Sequence, residues 1–84
     1  MPKIKLDGFM RSDAEDDRIS LEIASLFATP TGQSVLKHLR SITIETVTGA
    51  NVSDAELRHL EGQRYLVGLI ERRIKHAEKV KVNG

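Results

Sequence analysis

The sequence has no cysteine, so neither a disulfide nor a thiolate metal site can stabilise its 84 residues. A chain of this length forms one domain, near the lower size limit at which a hydrophobic core suffices. Aromatic side chains are confined to Phe9, Phe27 and Tyr65, so the core must be mainly aliphatic. The absence of cysteine also favours a reducing compartment such as the cytoplasm.

Long hydrophobic runs and a dominant charge are also missing. No stretch approaches the ~20 apolar residues of a membrane span, and no apolar run of ~7 to 15 residues follows Lys3 and Lys5 as in a signal peptide. We therefore expect no membrane association. Thirteen basic and 12 acidic residues nearly cancel, so net charge gives no general case for binding nucleic acid.

The charges are nevertheless unevenly distributed along the chain. Acidic residues crowd positions 13–17, and basic residues crowd the C-terminal end. This pattern is typical of helices whose terminal charges complement the helix dipole. The alternative is a basic end that contacts DNA or an acidic partner. Its candidate contacts are Arg72, Arg73, Lys75 and Lys79.

The spacing of apolar residues predicts two short helices followed by a long one. Ser12 or Asp13 is expected to cap the first helix, which should end at Ala28 because Pro30 disfavours helical geometry at Thr29. Pro30 disfavours helical geometry at the residue before it, so Thr29 is expected to cap a second helix that begins at Pro30. This break forms a sharp corner between the two helices.

The region after the second helix is rich in β-branched residues, which predicts an extended connection over residues 42–52. A short strand that pairs with residues 3–6 is the alternative. Ser53 and Glu56 form a capping box that begins the longest helix, from residue 54 to about residue 79. We therefore expect an all-α three-helix domain over residues 12–80. A flexible or docked arm precedes it at residues 1–11, and a frayed tail follows at residues 81–84.

The sequence offers little for catalysis. His38, His59 and His76 lie too far apart in sequence to share one turn of a helix, so solvated histidines on polar faces are expected. The glycines are isolated and form no phosphate loop. No serine has a recognisable base or nucleophile elbow. The sequence thus predicts no enzymatic activity, no catalytic residue, no cofactor and no metal ligand.

Two stretches resemble a family of small domains encoded by tailed bacteriophages and first described in a Bordetella phage. They are "LFATPTGQSVLKHLR", residues 26–40, and "HLEGQRYLVGLIERRI", residues 59–74. The shared features are an aromatic residue before a threonine–glycine corner, a following helix, and a later acidic-Gly-x-Arg motif. Gln63 departs from the second arginine expected there.

The resemblance implies a structural role for both motifs. Gly62 would let the corner approach the long helix closely, and Arg64 and Glu61 would hydrogen-bond the exposed backbone of that corner. A ligand-binding role for the same residues is the alternative. The expected fold-defining residues are Phe27, Thr29, Pro30, Gly32, Glu61, Gly62 and Arg64.

The resemblance also implies a non-enzymatic phage protein that serves in the virion or in its assembly and packaging. The expected locations are the host cytoplasm and the virion. Tyr65, Leu66 and Leu69 make the apolar face of the third helix wider than two short helices can cover. We therefore expect a surface for self-association or for a capsid, portal or other phage protein.

Two alternatives remain for the function. One is a phage-encoded inhibitor or regulator of a host protein. The other is a DNA-binding module, because a helix, a tight turn and a helix meet at the Pro30 corner. The near-neutral charge weighs against DNA binding, since phosphate contacts require a basic surface.

Overall fold

Three α-helices make up most of the computed structural model, which describes residues 2–83. Helix α1 spans Asp13–Phe27, helix α2 spans Pro30–Ser41 and helix α3 spans Asp54–Asn83. The predicted all-α fold is confirmed, as is the position of the longest helix at the C-terminal side.

Side-chain caps fix where α1 and α3 begin. The Ser12 hydroxyl accepts a hydrogen bond from the Glu15 amide at 3.2 Å, which satisfies a free N–H at the start of α1. At the start of α3, the Ser53 hydroxyl accepts from the Glu56 amide at 3.1 Å, and the Glu56 carboxylate accepts from the Ser53 amide at 3.4 Å. This reciprocal pair is the capping box that the sequence predicts.

The corner between α1 and α2 depends on Thr29 and Gly32. Thr29 Oγ1 accepts from the Gly32 amide at 2.9 Å and donates to the Leu26 carbonyl oxygen at 3.0 Å. Pro30 occupies the first position of α2, where its missing N–H leaves no bond unmade. A Cβ atom on Gly32 would lie 2.2 Å from the Leu26 carbonyl oxygen. Only glycine therefore fits this turn without a shift of the backbone.

The N-terminal arm is a β-hairpin. Strands β1 (Lys3–Ile4) and β2 (Met10–Arg11) pair antiparallel, with Lys3 opposite Arg11. Gly8, in the turn between them, has a φ of 83°, a left-handed conformation that glycine adopts without strain. Met1 lies outside the described residues.

The connection between α2 and α3 contains no strand within residues 42–52. It begins with turns over residues 42–45 and continues as irregular backbone. The alternative in which it pairs with residues 3–6 is wrong, because the arm pairs with itself. At the other end, α3 continues through Asn83, so the predicted helix end at about residue 79 and the frayed tail from residue 81 are wrong. Gly84 lies outside the described residues.

Helix α3 is the base on which the other elements pack. Helix α1 packs against its C-terminal half, where Ala24 and Phe27 face Ile74 and Ala77 around a small cavity. Helix α2 makes a lighter contact with α3. The result is a flat molecule of 48 × 32 × 14 Å. Within residues 2–83, no helix combines the length and apolar character needed to cross a membrane.

Among the described residues, the interior is small and contains four buried polar side chains and three buried apolar ones. Its buried apolar residues are Ala24, Val67 and Ala77, and its buried polar residues are Asp16, Ser20, Thr43 and Arg73. Hydrophobic burial alone therefore contributes modestly to this fold, and specific polar contacts must contribute much of its specificity.

Replacing Gly32 with alanine should destabilise the fold by about 1–3 kcal/mol, because the new Cβ would overlap the Leu26 carbonyl. The matched control is Gly62→Ala, where a Cβ meets nothing within 4 Å. Since alanine favours a helix over glycine, that control should stabilise by up to ~1 kcal/mol. Urea unfolding followed by circular dichroism measures both changes. Equal stability of the two variants would show that the corner tolerates a side chain.

Candidate functional site

The guanidinium of Arg73, on α3, lies in the interior, with 2% of the residue exposed. Its Nη1 donates to the Asp16 carboxylate, to the Asp16 carbonyl oxygen at 3.2 Å and to Ser20 Oγ at 3.0 Å. Its Nη2 donates to Asp7 Oδ2 at 3.2 Å. Because Asp16 and Ser20 belong to α1 and Asp7 to the hairpin, one side chain joins three elements. We call these four residues the Arg73 network.

The carboxylate of Asp7 is prepared for this contact by the hairpin itself. It accepts hydrogen bonds from the Phe9 amide at 3.0 Å and from Arg11 Nε at 2.9 Å. The backbone bond from Phe9, followed by the bond from Arg11, lowers the pKa of Asp7 below its ordinary value of 3.8. Asp7 is therefore ionised at neutral pH and complements the charge of Arg73.

Helix periodicity explains how this network becomes internal. On α1, Asp16, Ser20 and Ala24 recur every four residues, and on α3 Arg73 and Ala77 share one face. Polar side chains thus occupy positions that would otherwise complete an apolar stripe. The expected position of Arg73 among the surface cations is wrong, because α1 covers it. The sequence does contain a signal of this burial, because Arg73 lies one helical turn before Ala77 on the same face of α3.

His76 also differs from the expectation of a solvated histidine. Its Nε2 lies 2.9 Å from Asp17 Oδ1 and 3.4 Å from Asp16 Oδ2. The three ligand atoms lie within 4.8 Å of one another, so these side chains could hold a metal ion. His38 and His59 are exposed, as expected.

The glycine–arginine motif on α3 has a different partner from the expected one. Gly62 is exposed and its Cβ position has no neighbour within 4 Å, so the expected close approach of the corner is wrong. Arg64 does hydrogen-bond exposed backbone, but this backbone belongs to the connection between α2 and α3 and not to the corner. Its Nε donates to the Thr43 carbonyl at 2.8 Å and its Nη2 to the Thr46 carbonyl at 2.6 Å. Glu61 accepts from Arg64 Nη1 at 2.8 Å.

The physical reason is that residues 42–52 contain no strand, so their carbonyl groups need donors from elsewhere. The long side chain of Arg64 supplies two of them. The corner at Thr29 satisfies its own backbone through Thr29 and needs no arginine. Phe27, beside it, is half-buried.

The residues expected to form an interaction surface lie near the middle of α3. Tyr65 is 54% exposed and Leu66 is 59% exposed, whereas Leu69 is half-buried. The Arg72 guanidinium lies 5.5 Å from the centre of the Tyr65 ring, a cation–π distance. Tyr65 and Leu66 are thus large side chains that the other described residues leave open to solvent.

Because Arg73 is buried, the residues of the expected basic contact that remain at the surface are Arg72, Lys75 and Lys79. All of these are exposed. Their spacing of three and four residues places them on one face of α3. They form a short basic stripe that continues from Tyr65 toward the C-terminal end of the helix.

Residues 23–81 match the family described as Bbp19-like phage protein. This region contains α2, α3 up to residue 81, the corner and the motif around Arg64, but not the hairpin or the first part of α1. No curated protein and no solved structure matches the chain significantly.

Replacing Arg73 with methionine should destabilise the protein by about 3–5 kcal/mol, because it leaves the Asp16 carboxylate buried without its cation. The matched control is the neighbouring Arg72→Met, whose exposed side chain should be worth no more than ~0.5 kcal/mol. Chemical unfolding of the two variants gives the difference. A methionine tolerated equally at both positions would contradict a structural role for the network.

Replacing Arg64 with leucine should lower stability by about 1–3 kcal/mol, because the Thr43 and Thr46 carbonyls lose their donor. Arg58→Leu, at an exposed position on the same helix, is the control. Thermal unfolding compares the two. Hydrogen exchange adds a local readout, since residues 42–46 should exchange faster only in Arg64→Leu. An unchanged exchange rate there would show that the connection is held in another way.

Proposed function

Because the chain belongs to the Bbp19-like phage protein family, we propose that it is a non-enzymatic component of the phage particle or of its assembly. In this proposal it acts by binding another protein through the middle of α3. The interaction surface consists of Tyr65, Leu66 and Leu69, with Arg72 at its edge.

The proposal rests on the observation that the other elements cover one end of a face of α3 and leave the other end exposed. Leu66, Ile70, Arg73 and Ala77 recur at helical spacing along one face. Helix α1 buries Arg73 and Ala77 at one end of this face, while Leu66 at the other end is 59% exposed. The apolar face therefore continues past the element that covers it. A partner that docks beside α1 would bury Leu66 in the same way.

The exposed area of the whole chain supports a partner. Its accessible surface is 6189 Å², against roughly 5000 Å² for a compact monomer of this mass. A flat molecule whose interior contains few apolar side chains gains stability when further surface is buried. Permanent interfaces bury larger and more hydrophobic areas than transient ones, so this surface would suit a permanent assembly.

The chemistry of the surface also suits a protein contact. Tyrosine, arginine and large aliphatic residues are the side chains enriched at the energetically important centres of interfaces. Tyr65 and Arg72 already contact each other, so little side-chain freedom would be lost when they bind. The basic stripe of Arg72, Lys75 and Lys79 at one end would favour an acidic region on the partner.

Quantitative mass spectrometry of purified particles tests the location. We expect a fixed copy number relative to the portal or capsid protein if the chain is a particle component. A chain found only in assembly intermediates would be an assembly factor. Absence from both, together with stoichiometric capture of one host protein, would contradict the proposal and support the host-regulator alternative.

Replacing Leu66 with aspartate tests the surface. A charge at the centre of the contact should weaken association at least tenfold, because it must be desolvated without a partner. The control is Val47→Asp in the connection, where the side chain is 92% exposed and no contact is proposed. Incorporation into particles, or binding measured by sedimentation, gives the comparison. Similar behaviour of both variants, with folding verified by circular dichroism, would place the contact elsewhere.

A further inference from the structure

We propose that His76, Asp16 and Asp17 form a zinc site between α1 and α3. Each residue supplies one ligand atom, and a water molecule or a partner group completes a tetrahedron. Nothing in the family match assigns this role, and the sequence alone predicted no metal. The residues become a candidate because folding brings positions 16, 17 and 76 together.

The separations of the ligand atoms fit a small tetrahedral cation. Zinc bonds of about 2.0–2.1 Å to nitrogen and oxygen place neighbouring ligands of a tetrahedron about 3.3 Å apart. Here His76 Nε2 lies 2.9 Å from Asp17 Oδ1 and 3.4 Å from Asp16 Oδ2. All three ligand atoms lie within 4.8 Å of one another, so movements of the side chains would accommodate the ion. One imidazole and two carboxylates also form a ligand set that zinc accepts in proteins.

The second observation concerns the buried carboxylate of Asp16, whose side chain is only 5% exposed. One oxygen, Oδ1, pairs with Arg73. The other, Oδ2, faces the His76 ring, and no hydrogen bond to it is formed within residues 2–83. Oδ2 is not engaged by Arg73 and is therefore positioned to coordinate a metal ion beside the His76 ring. Arg73 would then hold the ligand in place, as outer-shell partners of metal ligands do.

The local charge also favours a cation. Among the described residues, the carboxylates of Asp7 and Asp16 pair with the guanidinium groups of Arg11 and Arg73, whereas Asp17 contacts the His76 ring. Other charged groups on this part of the chain pair among themselves, as in Lys5 with Asp13 and Arg18 with Glu15. The three carboxylates thus outnumber the two guanidinium groups that pair with this cluster, and a metal ion would attract the remaining carboxylate.

The site is open on one side, so an ion can enter and a water ligand has room. The His76 side chain is 31% exposed and that of Asp17 is 40% exposed. Because the ligands come from two helices, zinc would connect α1 to α3 at the Arg73 network and stabilise the folded state.

Isothermal titration calorimetry of the full-length, tag-free protein with zinc chloride tests the proposal. We expect one saturable site per chain. His76→Ala and Asp17→Asn should weaken binding by at least tenfold, because even outer-shell partners are worth 10–100-fold in affinity. Both positions are partly exposed, so both variants should fold. The control is His59→Ala, which removes an exposed histidine on the same helix and should leave binding unchanged.

Thermal unfolding provides an independent readout. At a zinc concentration about a hundredfold above the dissociation constant, the melting temperature should rise by about 10 °C in the unaltered protein and in His59→Ala. It should not rise in His76→Ala. No saturable zinc binding, equal binding by His76→Ala, or loss of binding in His59→Ala would each overturn the site.

Discussion

The buried guanidinium of Arg73 is the contact on which the arrangement of the other elements depends. It is the point at which α1, α3 and the hairpin meet. A guanidinium has fixed donor directions, so its partners can satisfy it in few arrangements. In an interior with few apolar side chains, such a contact selects one packing among several of similar hydrophobic energy. The elements that meet at Arg73 cover only a small part of α3. The molecule is therefore flat, and one face of α3 stays open to solvent.

The starts of the helices were predictable because each depends on a few neighbouring residues. Each start is set within a single turn, by Ser12, by Thr29 with Pro30, and by Ser53 with Glu56. The structure places each of them as the sequence indicated. The hairpin was missed for the opposite reason. Its strands have two residues each, too short for an alternating pattern to be visible.

The contacts between elements could not be predicted in the same way. Arg73 and Asp16 are 57 residues apart in sequence, and nothing local indicates that they meet. Arg64 hydrogen-bonds exposed backbone, as expected, but this backbone belongs to the connection and not to the corner. The expectation of close packing at Gly62 failed because open and crowded glycines look identical in a sequence. Gly32, not Gly62, is the crowded one.

The Arg73 network crosses the boundary of the family match, which begins at residue 23. Arg73 lies inside the matched segment, whereas Asp7, Asp16 and Ser20 precede it. A segment cut at that boundary would retain a guanidinium in the interior face of α3 but none of its acceptors. The unit that folds is thus larger than the unit that is similar in sequence. Recombination between phage genomes could separate the N-terminal acceptors from the segment that contains Arg73, and the interior would then be mismatched. Physical compatibility would therefore restrict which N-terminal segments can accompany this α3.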